Sequence, residues 1–334
     1  MSVAPSSPVG RLAPSPSGRL HLGHARTFAL AWAHARSRGG RMVLRLEDLD
    51  QSRCRPEHAQ RLLRDLTWLG LDWDGAPVYQ SQRLDVLREA AARLERSGEA
   101  YRCTCRRVDL EQAVQAPQRG VSEQRYPGTC RQRAVRDSAL LPVRDSALLP
   151  VRHSEVLDRS ALRFRVPDGP LYFVDQIAGP QSFDVSAEVG DFLISSRTNI
   201  PSYQLAVVVD DAYQGVTEVF RGDDLLSSTP RQILLQRALG LAEPAWYHIP
   251  LVLDTQGRRL AKRADDLSLE ALRESGVDAR AVLAWVGRSA GLDVPERITA
   301  SELMAAYDLT QLRRESVSFG PADLAALLAA RAGH

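Results

Sequence analysis

Near the N-terminus an apolar run, Val9 to Ala13, breaks at Pro14-Ser15-Pro16-Ser17-Gly18, and an alanine-rich amphipathic stretch from about Leu22 to Ser37 follows, ending at Gly39-Gly40. Proline and glycine interrupt regular structure on both sides, so the pattern reads as strand, loop and helix. Arg41 to Leu46 then alternates like a strand, and Pro56 to Leu69 and Gln82 to Ser97 carry helical periodicity. Strands that alternate with helices need crossover connections, and these build a parallel sheet. The order lapses from about Glu99 to Asp191, where cysteines, turn residues and short β-like runs (Leu162 to Val166, Leu171 to Val174) take over. Sheet-like order is expected again over Tyr203 to Val209, Val216 to Arg221 and Tyr247 to Leu253, with a helix over Ser228 to Leu239. The fold expected is therefore α/β: a discontinuous Rossmann-like, parallel-sheet nucleotide-binding domain (residues 9–98 and 192–253) interrupted by an inserted α+β domain (99–191). Residues 254–334 supply a loop and a small helical C-terminal domain, with helices over Leu269 to Ser275, Ala279 to Ser289 and Pro321 to Arg331 and no strands. The octapeptide Val135 to Pro142 recurs as Val143 to Pro150. A unit so short cannot stack as a solenoid and reads as a duplication in an exposed loop.

A chain of 334 residues that is 44% hydrophobic and 25% charged has material for a sizeable core, which excludes disorder as its ground state. It has no apolar run of membrane-spanning length and no secretory signal at Met1 to Val9, so a cytoplasmic monomer without membrane attachment is expected. With a formal net charge of +2, contact with nucleic acid must come from local basic patches. Four cysteines are too few for a disulfide framework, and Cys103, Cys105 and Cys130 cluster while Cys54 stands apart as a structural residue. With Tyr126 they offer three thiolates and a phenol, a donor set for one closed structural Zn²⁺ site, with His153 or water as the alternative fourth ligand because Tyr126 lies far along the chain from Cys105. Of the 43 lysines and arginines only Lys262 is lysine. A compact ammonium on a slim stem suits crowded phosphate oxygens better than the broad guanidinium fork, which gives a reason for that one lysine.

The loop ending in His21-Leu22-Gly23-His24 leads into a helix N-terminus, where backbone N–H groups and the helix dipole favour a phosphate. His21 and His24 are placed to donate to phosphate oxygens, and Gly23 lets a nucleotide approach the backbone. These groups act by positioning and charge stabilisation rather than by covalent catalysis.

Arg11-Leu12-Ala13-Pro14-Ser15-Pro16-Ser17-Gly18 followed by HLGH, then Arg45-Leu46-Glu47-Asp48-Leu49-Asp50 and Arg221-Gly222-Asp223-Asp224-Leu225-Leu226, resembles the signatures of the glutamyl-tRNA synthetases. The resemblance implies class I aminoacyl-tRNA synthetase chemistry in which ATP, with Mg²⁺, activates L-glutamate. HLGH corresponds to the HIGH motif, so His21, Gly23, His24 and Lys262 bind ATP, and His21, His24 and Lys262 are catalytic. Lys262 falls in Arg259-Leu260-Ala261-Lys262-Arg263, at the KMSKS loop, which departs from the pattern at Ala261 and Arg263 where serines are usual. Arg11, Leu12, Ala13, Pro14, Ser15, Glu47, Tyr203 and Arg221 are implied to hold glutamate. Their chemistry agrees: arginines suit two carboxylates, Glu47 suits the ammonium, and Tyr203 can wall the pocket. The cysteine cluster resembles the zinc site of the glutamyl-queuosine tRNA(Asp) synthetases, truncated paralogues that attach glutamate to queuosine at the tRNA(Asp) wobble position, where a tyrosine is the fourth ligand. The short stretch after the KMSKS-like loop, without space for a helical anticodon-binding domain, fits that paralogue. Transfer of glutamate to queuosine of tRNA(Asp) is therefore expected, with Arg102, Arg106, Arg107, Arg125 and Arg131 as candidate phosphate contacts. Three alternatives stand beside it: a minimal glutamyl-tRNA synthetase charging a tRNA 3′ end, a small-molecule nucleotidyltransferase with an H-x-G-H loop, and an inactive relative kept as an RNA-binding module.

Overall fold

The structure is a computed structural model that describes residues 7–105, 125–131, 160–260 and 268–331. Their elements run β1 (Val9–Leu12), α1 (Leu22–Arg36), β2 (Arg41–Leu46), α2 (Pro56–Trp68), β3 (Val78–Tyr79), α3 (Leu84–Arg96), β4 (Ala100–Cys103), β5 (Ala161–Phe164), β6 (Leu171–Asp175), β7 (Gly179–Phe183) and α4 (Val185–Glu188). They continue with β8 (Leu193–Ser195), α5 (Tyr203–Gln214), β9 (Glu218–Gly222), α6 (Thr229–Leu239), β10 (Ala245–Ile249), β11 (Val252–Leu253), α7 (Leu269–Glu274), α8 (Ala279–Ala290), α9 (Ala300–Ala306), β12 (Val317–Ser318) and α10 (Pro321–Ala329). The octapeptide duplication lies outside the described residues.

The expected strand, loop and helix open the chain. Strand β2 returns parallel to β1, with Arg11 opposite Val43, and β3 extends the sheet on the far side of β2. The return is made at Gly39-Gly40. Gly39 sits at φ +66°, where a side chain is strained, and a Cβ on Gly40 would lie 2.5 Å from the Pro8 carbonyl oxygen. A second sheet has the order β7-β6-β10-β9, parallel from β6 through β9 with β7 as an antiparallel edge. The two sheets meet along β1 and β9, where Thr217 donates its N–H to the Val9 carbonyl at 3.0 Å. Strands β2, β9 and β10 are buried along almost their whole length, as parallel strands covered on both faces must be.

A small antiparallel sheet, β4-β5-β8, packs Ala100, Leu162, Phe164 and Ile194 into one core with Leu94 of α3, Leu205 of α5 and Leu235 of α6. Of the two β-like runs expected in the insertion, the first supplies β5 here, while the second supplies β6 in the larger sheet. Two expectations need correction. Tyr203 to Val209 is not a strand but the first half of α5, capped by the Ser202 hydroxyl, which accepts from the Leu205 N–H, and closed by Gly215 at φ +69°. The C-terminal region is not strand-free, because β12 pairs in parallel with β11, Val252 opposite Val317. Its helices bury Val282, Trp285 and Leu303 in the same core as Leu30 and Ala33 of α1. No helix among the described residues is long and apolar enough to cross a membrane.

Candidate active site

A cavity of about 250 Å³ opens where β1, β2 and β9 end, at the carboxyl edge of the sheet where α/β proteins take their ligands. Arg11, Ala13, Pro14 and Ser15 line it from β1 and the loop behind it, His21, Gly23 and His24 from the start of α1, Glu47 from the end of β2, Tyr203 from the start of α5, and Arg221 from β9. Leu12 is the exception, fully buried in the core and not part of the cavity lining.

The floor carries charge that the strands could bury only as a paired set. Arg45 is fully buried and bridges two carboxylates, with Nη1 2.6 Å from Asp211 Oδ1 and Nη2 3.2 Å from Glu47 Oε1. Arg11 shares Asp211, with Nε 3.4 Å from Oδ1, and donates from Nη1 to the Phe220 carbonyl at 3.2 Å. Burial pushes the Glu47 carboxyl up, against the opposing pull of Arg45 and Arg11. Burial, with Glu47 adding to it, pushes the Tyr203 phenol up to about 12, and burial lowers Arg221. Three guanidinium groups (Arg11, Arg45, Arg221) face two carboxylates (Glu47, Asp211), which leaves this cluster one positive charge in excess. Arg45 and Asp211 were not assigned a role from sequence. The signal for Arg45 was present: it lies in β2 two residues before Glu47, which directly follows the strand, and the period of two puts both on the same side.

At the mouth, His21 is the N-cap of α1, with extended backbone at φ −123°, ψ 172°. Its Nδ1 accepts the Gly23 N–H at 3.1 Å, and His24 Nδ1 accepts the His21 N–H at 3.2 Å. With both Nδ1 atoms acting as acceptors, each neutral ring carries its proton on Nε2 as a donor, the form suited to a phosphate oxygen. A Cβ on Gly23 would lie 2.9 Å from His21 Cε1, so the glycine makes room first for the histidine ring rather than for a nucleotide. Arg26, one turn on, also lines the cavity and had not been singled out. Its Nη1 donates to the Pro250 carbonyl at 2.6 Å and its Nε to Ser289 Oγ at 3.1 Å, and burial lowers its pKa to about 10.

Lys262, with Ala261 and Arg263, lies outside the described residues. The residues flanking that segment are at the cavity. Arg259 and Leu260 line it, Arg259 Nη1 lies 2.6 Å from Asp224 Oδ2, and Leu260 donates its N–H to the Val252 carbonyl at 3.1 Å. On the other side Ser268 forms a β-bridge with His21, and Glu270 binds Arg19 at 2.7 Å and Arg61 at 2.9 Å.

Some distance along the chain, Cys103, Cys105 and Cys130 bring their sulfurs within 4.8 Å of one another, with Cys105 and Cys130 3.5 Å apart. Tetrahedral zinc with thiolate bonds of about 2.3 Å needs sulfurs about 3.8 Å apart, so the set fits a metal of that kind. Tyr126 Oη reaches into the cluster, 3.5 Å from Cys103 Sγ and 3.6 Å from Cys105 Sγ, and accepts the Cys130 N–H at 2.9 Å. Burial works to raise Cys130, but hydrogen bonds from the Thr104 backbone and the Tyr126 phenol outweigh it and lower that thiol to about 6, while burial raises Cys105. His153 lies outside the described residues. Cys54 stands apart, its Sγ 3.9 Å from the Glu47 carbonyl.

The insertion arginines that are described serve the fold. Arg102 pairs with Glu95 at 2.5 Å, Arg125 donates to the Ser186 carbonyl at 2.9 Å, and Arg131 binds Asp191 at 2.8 Å. Arg106 and Arg107 lie outside the described residues.

A parallel sheet whose strand ends hold an H-x-G-H helix cap above a buried amino-acid-sized charge cluster is the framework of a class I tRNA synthetase. Residues 9–323 match the family model described as tRNA synthetases class I (E and Q), catalytic domain. The chain is 45% identical over 328 residues to glutamyl-Q tRNA(Asp) synthetase of Symbiobacterium thermophilum, covering 95% of this chain and 98% of the relative. To glutamate–tRNA ligase 2 of Halorhodospira halophila it is 37% identical over 316 residues, covering 94% of this chain and 64% of the ligase. The crystal structure of a glutamate tRNA ligase from Elizabethkingia meningosepticum in complex with its amino acid superposes with a TM-score of 0.77 at 25% identity, covering 96% of this chain and 68% of that one. The chain belongs to the class I tRNA synthetases of the E and Q type, as a ligase of the glutamyl-Q tRNA(Asp) synthetase family.

Proposed function

We propose that this chain activates L-glutamate with ATP to glutamyl-adenylate and transfers the glutamyl group to queuosine in the anticodon loop of tRNA(Asp). The observation that carries the amino-acid choice is the one-charge excess of the cluster of Arg11, Arg45, Arg221, Glu47 and Asp211. Glutamate, with two carboxylates and one ammonium, brings a net charge of minus one and neutralises that cluster. Glutamine, with none, leaves a buried arginine uncompensated. Arg11 and Arg221 take the carboxylates, Glu47 the ammonium and Tyr203 the wall, with Ala13, Pro14 and Ser15 along the loop and Leu12 supporting it from the core.

A carboxylate oxygen of glutamate attacks the α-phosphorus, the bond to the bridging oxygen breaks, and pyrophosphate leaves. The Nε2–H groups of His21 and His24 stabilise the charge gathered on the phosphate oxygens in that step. Lys262 holds the ATP phosphates from the segment between Leu260 and Ser268, and Mg²⁺ accompanies ATP as it does in other class I synthetases. A hydroxyl of the queuosine ring then attacks the mixed-anhydride carbonyl, and AMP leaves. Cys103, Cys105, Cys130 and Tyr126 would hold one zinc ion, which supplies structural cross-linking and no chemistry. The tRNA substrate makes the cytoplasm the site of action, with the chain acting as a monomer. Domain limits at 9–98, 99–191, 192–253 and 254–334 remain our division of the chain.

ATP–pyrophosphate exchange tests the first half. Exchange should depend on glutamate, ignore glutamine, proceed without tRNA, and fall sharply in Lys262→Ala. Exchange independent of glutamate would point to a small-molecule nucleotidyltransferase, its absence to an RNA-binding relative, and unchanged activity in Lys262→Ala would remove that residue's role. The second reading, a minimal glutamyl-tRNA synthetase, is favoured by the 37% identity to glutamate–tRNA ligases, and charging of unmodified tRNA(Glu) would select it.

A further inference from the structure

Parallel pairing of β9 with β10 sets Arg221 opposite His248, so both side chains leave the sheet on the same face. Arg221 Nε donates to His248 Nε2 at 2.9 Å. A guanidinium only donates, so that imidazole nitrogen must be an acceptor and the ring proton must sit on Nδ1. There Asp175 Oδ2 receives it at 2.6 Å. The other carboxylate oxygen, Oδ1, accepts the N–H groups of Ile177 (3.0 Å), Ala178 (2.7 Å) and His248 (3.2 Å), which fixes the carboxylate plane. Asp175 and His248 are each 1% exposed and absent from the cavity lining, so neither touches a ligand there. Arg221 also donates to Gln232 Oε1 and Thr229 Oγ1, each at 2.9 Å, and to the Leu225 carbonyl at 3.4 Å. Of its five N–H groups, one on Nη1 has no acceptor among the described residues.

We propose that Asp175 and His248 are positioning residues: Asp175 locks His248 in the Nδ1-protonated tautomer, and the Nε2 lone pair then aims the Arg221 guanidinium at the amino-acid subsite. The proposal rests on that cavity being the glutamate site. Burial, with the neighbouring Arg221 adding to it, lowers His248 to about 4 against the pull of Asp175, so the imidazole stays neutral in the working range.

Asp175→Asn is the sharpest perturbation. The three backbone N–H groups hold the amide oxygen where Oδ1 was, so the amide N–H faces Nδ1, drives the ring proton to Nε2, and sets two donors against each other at Arg221. The glutamate KM in pyrophosphate exchange should rise roughly ten- to a hundredfold, the loss of a charge-assisted bond, while the ATP KM stays unchanged. His248→Gln, which offers a carbonyl to Arg221 and an N–H to Asp175, should recover most of the loss seen in His248→Phe. A purely structural role would raise both KM values together and would not separate Gln from Phe. Long-range ¹H–¹⁵N correlation of the wild-type histidines gives an answer that needs no variant. An Nδ1-protonated His248 is expected, and an Nε2-protonated or doubly protonated ring at neutral pH would overturn the proposal, as would an unchanged glutamate KM in Asp175→Asn. If the wild type shows no glutamate-dependent exchange, the glutamate reading fails, and the spectrum still decides the tautomer.

Discussion

Removing Arg45 should disable the site without touching a residue that lines it. Arg45 has no exposed surface, and its guanidinium is the only described cation within bonding distance of both Glu47 and Asp211. In Arg45→Met the apolar stem is kept and two buried carboxylates lose their shared partner, which costs about 3–5 kcal/mol of stability. Arg11 stays near Asp211 at 3.4 Å, so the larger loss falls on Glu47, whose carboxyl burial already pushes up. Without Arg45, one of the two cations that oppose the burial effect is gone, so Glu47 should hold a proton more readily and attract the substrate ammonium less. Urea unfolding reads the stability, and glutamate titration of pyrophosphate exchange between pH 6 and 8.5 reads the affinity, with KM expected to fall toward wild type as pH rises and Glu47 ionises. A double-mutant cycle makes the test specific. Arg45→Met combined with Asp211→Asn should be less destabilised than the sum of the single changes, by about 0.5–3 kcal/mol. Strict additivity, or a glutamate KM that Arg45→Met leaves unchanged at pH 7, would refute the charge-balance reasoning.

Three further tests follow from separate parts of the molecule. Glu218 joins β9 to α1 through His34, at 3.2 Å, and Arg38; burial works to raise its pKa, but those two partners outweigh it and lower it from 4.5 to about 2. A depressed carboxyl stabilises the fold above its unfolded pKa and loses that contribution as pH falls toward the folded value, so Glu218→Gln should cost on the order of 2–3 kcal/mol at pH 7 and distinctly less at pH 3 in urea unfolding. Gly23→Ala drives a Cβ against the His21 ring and breaks the reciprocal cap, and exchange kcat should fall at least about tenfold with the glutamate KM little changed. Metal analysis should find one zinc per chain, lost in Cys130→Ser, with a lower melting temperature and, below that temperature, an unchanged glutamate KM.

Much of the site was legible because its residues sit in short, local patterns. His21 and His24 follow a strand and loop that the apolar pattern locates, whereas Arg11, Ser15, Glu47, Tyr203 and Arg221 were named through the resemblance carried by the motifs around them, and a parallel sheet brings strand ends together. Tyr203 was assigned to the site yet misread in structure. Residues 203–208 are buried on every side, so no 3.6-residue polar face appears, and the β-branched Val207-Val208-Val209 outweighed the Ser202 cap and the Gly215 stop. Arg45, Asp211, Asp175 and His248 escaped because their roles exist only through pairing between elements far apart in sequence: Arg45 of β2 meets Asp211 of α5 over 166 positions and His248 of β10 meets Asp175 of β6 over 73. Strand β12 escaped because two residues carry no readable period.

The acceptor is tested most directly by where glutamate ends up. Queuosine-containing tRNA(Asp), incubated with the enzyme, ATP and labelled glutamate, is digested with a guanosine-specific nuclease, and the labelled fragment is identified by mass. Label on the anticodon fragment carrying queuosine, with none on tRNA(Asp) that lacks the modified base, is the expected result; label on the 3′-terminal adenosine would contradict it.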